Sequence, residues 1–352
     1  MSIDKKAWDR VESFLTSNTF DGFTGKELFI MNFIKKGWGQ DIAALSNMAE
    51  AVLLRHQSGS IDSIHAHRLI REIEWRAMHK TVSPYRSKIE MVNDLGWHGY
   101  YLEHLNIILG IASALGVDDH TNLNLRVSEH LREQSMAQKN AHAPLMPHIK
   151  MRWSADQSAI LKSLWLCDQN HQTDFHREPM SRWLEHMKTV MTDADTGLFQ
   201  TEAMRVKSYS RQPRGCSLSY LIHYTSSFAP DIANEQWLLF KVHMYESRIG
   251  LGGFREYLPI YEGKWTPDSG PVIAGIGIAA TGLGLKAACT VSDSEMHASL
   301  KKSIDRVLTV FQATSNIPGI GMLTSIGTDV LASAIYSNSG SETISRAEGA
   351  EV

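Results

Sequence analysis

The chain has 352 residues, 43% of them hydrophobic, and a formal net charge of −3. This is the size and composition of a globular protein of one large domain or two ordinary ones. The near balance of charge gives no electrostatic reason to expect nucleic acid or an anionic membrane as partner, which leaves a small-molecule substrate.

The N-terminal "MSIDKKAWDRVESFL" sets charges among its apolar residues, where a secretory signal carries an uninterrupted apolar stretch. Its helical spacing predicts a first helix around Ala7 to Leu15. Cys167, Cys216 and Cys289 are odd in number and widely spaced, without the pairing of a zinc site or a disulfide framework. A cytoplasmic protein in a reducing compartment is therefore expected.

From residue 39 onward two kinds of helix alternate. "DIAALSNMAEAVLLRH", "YLEHLNIILGIASALG", "SADQSAILKSLWL", "GCSLSYLIHYTSSF" and "TSIGTDVLASAIY" are apolar and rich in small residues. Most are followed by a turn and a more polar, amphipathic partner such as "DHTNLNLRVSEHLREQ", "REPMSRWLEHMKTVM" or "ANEQWLLFKVHMYE". A helix apolar on every side is buried, and one with a polar face lies outside. The apolar helices start near Gly39, Gly99, Ser154, Gly215, Ser269 and Thr324, a period of roughly 55 to 60 residues.

Six hairpins predict an all-α chain folded as an (α/α)6 toroid over residues 1–338, with the first helix as outer partner of the last inner one. The polar stretch 339–352 reads as a disordered tail. The run from Pro271 to Leu285 is shorter than the ~20 residues of a membrane span, and Lys286 ends it. Its Gly275-to-Ala280 segment matches a dinucleotide fingerprint but lacks the preceding strand and the βαβ unit that the fingerprint needs. Gly275, Gly277, Gly282 and Gly284 instead predict a helix packed closely on its neighbours, each at a cost of ~1 kcal/mol in helix propensity.

The blocks "YLEHLNIILGIASALG", "SADQSAILKSLWLCDQNHQTDF" and "TPDSGPVIAGIGIAATGLGLKAA" resemble the linalool dehydratase/isomerase family over roughly 96–337. The resemblance implies an (α/α)6 barrel with a deep, mostly apolar pocket, where acid and base groups add or remove water and shift double bonds without a cofactor. It matches Tyr101 and His104 to a tyrosine and the histidine of the family's "HLN" block. Asp156 falls where that family has a catalytic cysteine, and the second active-site cysteine has no counterpart.

Inner helices that all point the same way bring their N-termini to one rim. The rim residues are Trp38 and Asp41; Trp97, Tyr100, Tyr101, Glu103 and His104; Trp153 and Asp156; Arg211, Arg214 and Cys216; Tyr257, Trp265, Asp268 and Ser269; and Thr328 with Asp329. Carboxyl groups in a low-dielectric pocket have raised pKa values and act as general acids. Asp156 and Asp268 are thus the expected proton donor and acceptor, with His104 as relay and Tyr101 as hydrogen-bond donor to substrate.

Trp38, Trp97, Tyr100, Trp153, Arg214, Cys216, Tyr257, Trp265 and Asp329 are the expected substrate-binding residues, the aromatic ones offering ring faces to apolar or sugar surfaces. Each has a structural alternative: Asp as helix cap, Trp as barrel closure, Arg214 as half of an ion pair. No metal is expected, since His65 and His67 sit two apart and no HExxH occurs. The leading expectation is a cofactor-independent lyase or isomerase. A carbohydrate-processing enzyme with paired carboxylates is the second, a non-catalytic binding protein the third, and homo-oligomerisation is left open.

Overall fold

The computed structural model describes residues 3–17, 40–203, 212–248, 250–261, 269, 272–273, 275–314 and 330–339. The helices among these residues are α1 (Ile3–Thr16), α2 (Gln40–Gln57), α3 (Ser63–Met78), α4 (Gly99–Ala114), α5 (Thr121–Met136) and α6 (Ser154–His171). They continue with α7 (Arg177–Val190), α8 (Gly215–Thr225), α9 (Pro230–Met244), α10 (Ile278–Thr290), α11 (Ser294–Thr314) and α12 (Val330–Ser337). Helices α2, α4, α6, α8, α10 and α12 pack each on the next, and α12 packs back on α2, closing an inner ring.

Helices α3, α5, α9 and α11 lie against the inner helix that precedes them, and α7 lies beside α5. Helix α1 covers α12, with Ala7, Trp8, Val11 and Leu15 buried and Arg10 Nη1 donating to Ser333 Oγ at 3.1 Å. The expected (α/α)6 toroid is the fold, including the N-terminal helix as outer partner of the last inner one.

The two helix kinds differ as their composition predicts. Helix α4 buries an unbroken run from Tyr101 to Ala112, whereas α5 buries only Leu123, Asn124, Val127, Ser128, Leu131 and Ser135, one stripe of a helix that faces water elsewhere. Local chemistry sets the ends. Asp62 caps α3 by accepting from His65 N at 2.8 Å. Pro230 opens α9 where its missing N–H costs nothing, and Gln172 stops α6 in the left-handed region at φ 55°. No helix among the described residues is long and apolar enough to cross a membrane.

Two short hairpins interrupt the expected all-helical pattern. Strands β1 (Tyr245–Arg248) and β2 (Leu251–Phe254) pair antiparallel after α9, and β3 (Val272–Ile273) pairs with β4 (Ile276–Gly277). The fifth inner helix accordingly starts at Ile278, not near Ser269. Gly275, at φ +86°, is a turn residue, and a side chain at Gly277 would stand 3.1 Å from Glu256 Cβ. Both glycines therefore serve a hairpin that clears the segment around Glu256, and only Gly282 and Gly284 lie inside α10.

Those two differ sharply. A Cβ at Gly284 would meet Phe254 Cδ2 at 2.6 Å, whereas one at Gly282 would meet nothing within 4 Å. Gly284→Ala is expected to cost about 1–3 kcal/mol through overpacking, and Gly282→Ala to stabilise by about 1 kcal/mol through helix propensity. Denaturant unfolding of the two variants measures both signs.

Candidate functional site

Helical spacing decides which rim residues face the axis. On α4, Tyr100, Glu103 and His104 stand at i, i+3 and i+4 and share one face. The Tyr100 ring meets the His104 ring edge-on at 5.1 Å, and His104 Nε2 lies 3.7 Å from Glu103 Oε1. Tyr101 is one residue round the helix. Its hydroxyl donates to the Ala77 carbonyl at 3.0 Å and its ring packs on Tyr85, so it braces α4 against α3 instead of facing the acids. That placement corrects its expected role as a donor to substrate.

Glu103 and His104 are almost wholly buried, and Asp156, in the first turn of the neighbouring α6, keeps partial access to solvent. Burial raises the Glu103 pKa well above the ordinary carboxylate range, and the charge of Asp156 and a hydrogen bond between the two carboxyls raise it further. Glu103 and Asp156 therefore form a dyad whose buried member keeps its proton above the ordinary carboxylate range. Burial, with the charge of Lys286, pushes His104 down to about 3 against the pull of Glu50, so its imidazole is neutral.

A second layer lies deeper. Lys286 on α10 donates to Glu50 at 2.6 Å and to Asn47 at 2.9 Å, both on α2. His223 on α8 reaches Glu50 at 3.2 Å, and Asn338, just past α12, donates to both Glu50 and Asn47. Helices α2 and α8 stand opposite one another in the ring, so the His223–Glu50 contact crosses the axis and plugs it. Burial pushes Glu50 up, but Lys286 and His223 outweigh it and hold the carboxylate well below its usual value. The charged pair, bonded also to Asn47, His223 and Asn338, is the arrangement a buried ion requires.

Tyr220 joins the layers. Its hydroxyl bonds Asn47 below, and it feels the charges of Asp156 and Cys216 above. At the mouth of α8, Arg214 Nε and Cys216 Sγ both donate to Glu256 Oε1, at 3.0 and 3.1 Å, and Cys216 N donates to Oε2 at 3.2 Å. Arg214 also lies over the Tyr257 ring at 5.6 Å. The segment carrying Glu256 comes so close that a Cβ at Gly215 would sit 2.0 Å from the Arg255 carbonyl oxygen. Arg214 is thus half of an ion pair with a wholly buried carboxylate that sequence reasoning passed over.

Trp153 precedes α6 and donates from Nε1 to Glu202 at 3.3 Å, while Trp97 is half exposed ahead of α4. Trp38, Trp265, Asp268 and Asp329 lie outside the described residues. Asp168, Asp174 and His176 bring possible metal-ligand atoms within 4.8 Å of one another at the far end of α6. Asp168 there already accepts from Thr173, His176 and two backbone amides, the bonding of a structural cap. Asp193 in "TDADTG" likewise closes its own turn by accepting from Thr196.

No protein-family model and no curated protein sequence matches the chain. Solved structures do match in shape. An inactive variant of the alpha-1,6-mannanase GH76A of Salegentibacter sp. HEL1_6, with two adjacent aspartates replaced by alanine and alpha-1,6-mannotetrose bound, shares a TM-score of 0.57 at 10% identity over 96% of this chain and 100% of that one. The family 76 glycoside hydrolase (mannosidase) Bt3792 of Bacteroides thetaiotaomicron gives 0.58 at 9% identity over 97% and 100%. The Lin0763 protein of Listeria innocua gives 0.61 at 10% identity over 98% and 99%.

At such identities the likeness is one of fold. It overturns the resemblance to linalool dehydratase/isomerase, and with it the lyase and isomerase expectation, since the neighbours named as enzymes are glycoside hydrolases. In this chain the blocks that carried the resemblance serve packing. Asn106 of "HLN" ties three helices through Ser128, Ser163 and Asn124, and the glycines of the last block admit Glu256 and Phe254.

Proposed function

We propose that this chain is a carbohydrate-processing (α/α)6 enzyme acting on a glycosidic bond, with the Glu103–Asp156 dyad as its proton store. The observation that carries the reading is the dyad itself, one carboxyl sealed among helices and the other reaching the mouth. Asp156 exchanges protons with the entering substrate, and Glu103, its pKa raised, keeps one available for the leaving oxygen. The edge of Tyr100 and the rings of Trp153 and Tyr257 offer the flat surfaces on which sugar rings rest.

The fold neighbours support the reading, with one difference in the acids. The mannanase named above is inactive without two adjacent aspartates. This chain's only Asp-Asp pair, Asp118 and Asp119, follows the far end of α4, where Asp118 accepts from Ser113 and Asp119 pairs with Arg71 at 2.9 Å. Its rim acids come instead from two helices and touch each other. Glycosidases hold their two carboxyls about 5–9.5 Å apart, so the dyad counts as one of the two, and Asp268 is the sequence-expected second.

The test is a panel of oligosaccharides and aryl glycosides incubated with purified protein, with released sugar measured. Cleavage of at least one linkage is expected. If no member of the panel is cut and none binds in calorimetry, the reading fails.

A further inference from the structure

Glu202 is a further carboxyl at the start of α6, carried there by the stretch that follows α7. That stretch is tied down along its length. Asp193 bonds Thr196 and the Leu198 carbonyl, Thr192 and Phe199 form an antiparallel bridge, and Gln236 of α9 bonds Phe199 N and Gly197 O at 2.9 and 3.1 Å. Its last residues are fastened to α6. Ser154 N and Oγ donate to the Thr201 and Gln200 carbonyls at 3.0 and 2.8 Å, and Ala203 N donates to the Arg152 carbonyl at 2.8 Å.

Between these bonds Glu202 faces Trp153 across a backbone bridge, and Trp153 Nε1 donates to Glu202 Oε1 at 3.3 Å. Backbone and side chain thus join the same two residues. The indole N–H is the only donor of a tryptophan side chain, so with that bond made the ring has its faces left to offer a substrate. Glu202 itself is 7% exposed and its other oxygen is closed off from solvent. It is too deep to touch a sugar, and so is not the second carboxyl of a glycosidase.

Trp153, by contrast, is half-buried, packed against the core and open at the mouth. It is the N-cap residue of α6, and Asp156 is the third residue of that helix. These are the two positions whose side chains approach each other at a helix start, as they do in a capping box. The ring therefore stands beside the accessible member of the dyad.

We propose that Glu202 is a positioning residue, whose carboxyl fixes the plane of the Trp153 ring so that the ring stacks on the sugar presented to Asp156. This rests on the carbohydrate reading above and deepens it by assigning the platform for the sugar at the dyad. Without an acceptor for its N–H, the indole turns about its two side-chain torsions and the stacking surface is no longer held ready. Proton transfer by Asp156 and Glu103 is a separate act, so the loss falls on binding.

The test measures KM and kcat on the best glycoside for wild type, Glu202→Gln, Glu202→Leu, Trp153→Phe and the double variant Glu202→Leu/Trp153→Phe. Glu202→Leu is expected to raise KM about five- to tenfold, the worth of a stacked ring, with kcat within about twofold. Glu202→Gln keeps an acceptor oxygen and is expected to hold KM within about twofold. Phe has no N–H to anchor, so adding Glu202→Leu to Trp153→Phe is expected to raise KM no further. An unchanged KM in Glu202→Leu overturns the proposal, as do effects of the two single variants that multiply in the double. A hundredfold fall of kcat in Glu202→Gln also overturns it, by making Glu202 an acid or base in its own right. If Glu202→Leu does not fold, an unchanged KM in Trp153→Phe overturns the platform.

A nitrogen–proton NMR spectrum supplies the second reading. The indole signal that Trp153→Phe removes is expected to shift in Glu202→Leu. If it does not move, the bond and the positioning role are refuted whatever the kinetics. If it moves but no saccharide is cut or bound, the carbohydrate reading falls and takes the platform with it, leaving a structural bond only.

Discussion

Glu103→Gln is expected to lower turnover of the best glycoside by about 10²–10⁴-fold, the usual worth of a positioned proton donor, with little change in melting temperature. The amide fills the same volume and loses only the proton. In the wild type the same group sets the alkaline limb of the pH–rate profile. Because burial, the Asp156 charge and the bond to Asp156 all raise its pKa, the donor stays protonated well above the ordinary carboxylate range, and activity is lost as pH climbs through the raised value.

Asp156→Asn removes two of those three causes and leaves burial. Its residual activity is therefore expected to fall off at lower pH than the wild type's. A carboxylate that merely capped α6 would leave that limb where it was. The profile of kcat/KM against pH for the three proteins separates the two roles, and coincident alkaline limbs in wild type and Asp156→Asn would refute the dyad.

The second large effect is on stability. Lys286→Met is expected to destabilise the fold by about 3–5 kcal/mol at pH 7, because it leaves Glu50 charged and buried without its closest cation. The sign with pH follows from the same burial. In the wild type the Glu50 pKa is held below its unfolded value, so its contribution is present above about pH 4.3 and is lost as pH falls through the folded value.

Without Lys286, burial dominates and the Glu50 pKa moves upward. The penalty of the variant is then largest where an exposed carboxylate would be ionised, and it shrinks on acidification. Adding Glu50→Gln to Lys286→Met is expected to recover much of the loss, since an amide costs less to bury than a lone charge. Urea unfolding of the single and double variants at two pH values measures the coupling. A single variant as stable as wild type would mean that Asn338 and His223 suffice to hold the carboxylate.

The architecture was legible because it rests on composition repeated at a fixed period. All-round apolar helices alternate with striped ones, and α4 beside α5 shows that contrast in burial. The fifth hairpin was misplaced because the glycines near 275 look alike in sequence while serving different ends. A left-handed turn, a clearance for Glu256 and a close approach to Phe254 are tertiary demands that no local pattern distinguishes.

The candidate site was half legible. Asp156, His104, Tyr100 and Cys216 are expected at one rim from their place at helix starts, and Glu103 is named there without a role because the acid that raises its pKa is on another helix. Tyr101 was misassigned by one residue, about 100° of helix rotation. Glu50 and Lys286 were overlooked although each is a lone charge deep inside an apolar, small-residue helix. Such a residue demands a partner across the core, and that demand is the signal that would have paired them.

The overlap of α1 with α12 has a consequence for how the molecule comes apart. An open stack of helical hairpins can fray from either end, losing one unit while the rest persists. Here α1 completes the unit that α12 begins, so the ring formed by the described helices has no open side from which to unravel. Peeling away the first helix uncovers the last hairpin and breaches the circle at once. Proteolytic loss of α1 thus threatens the whole enclosure rather than trimming it.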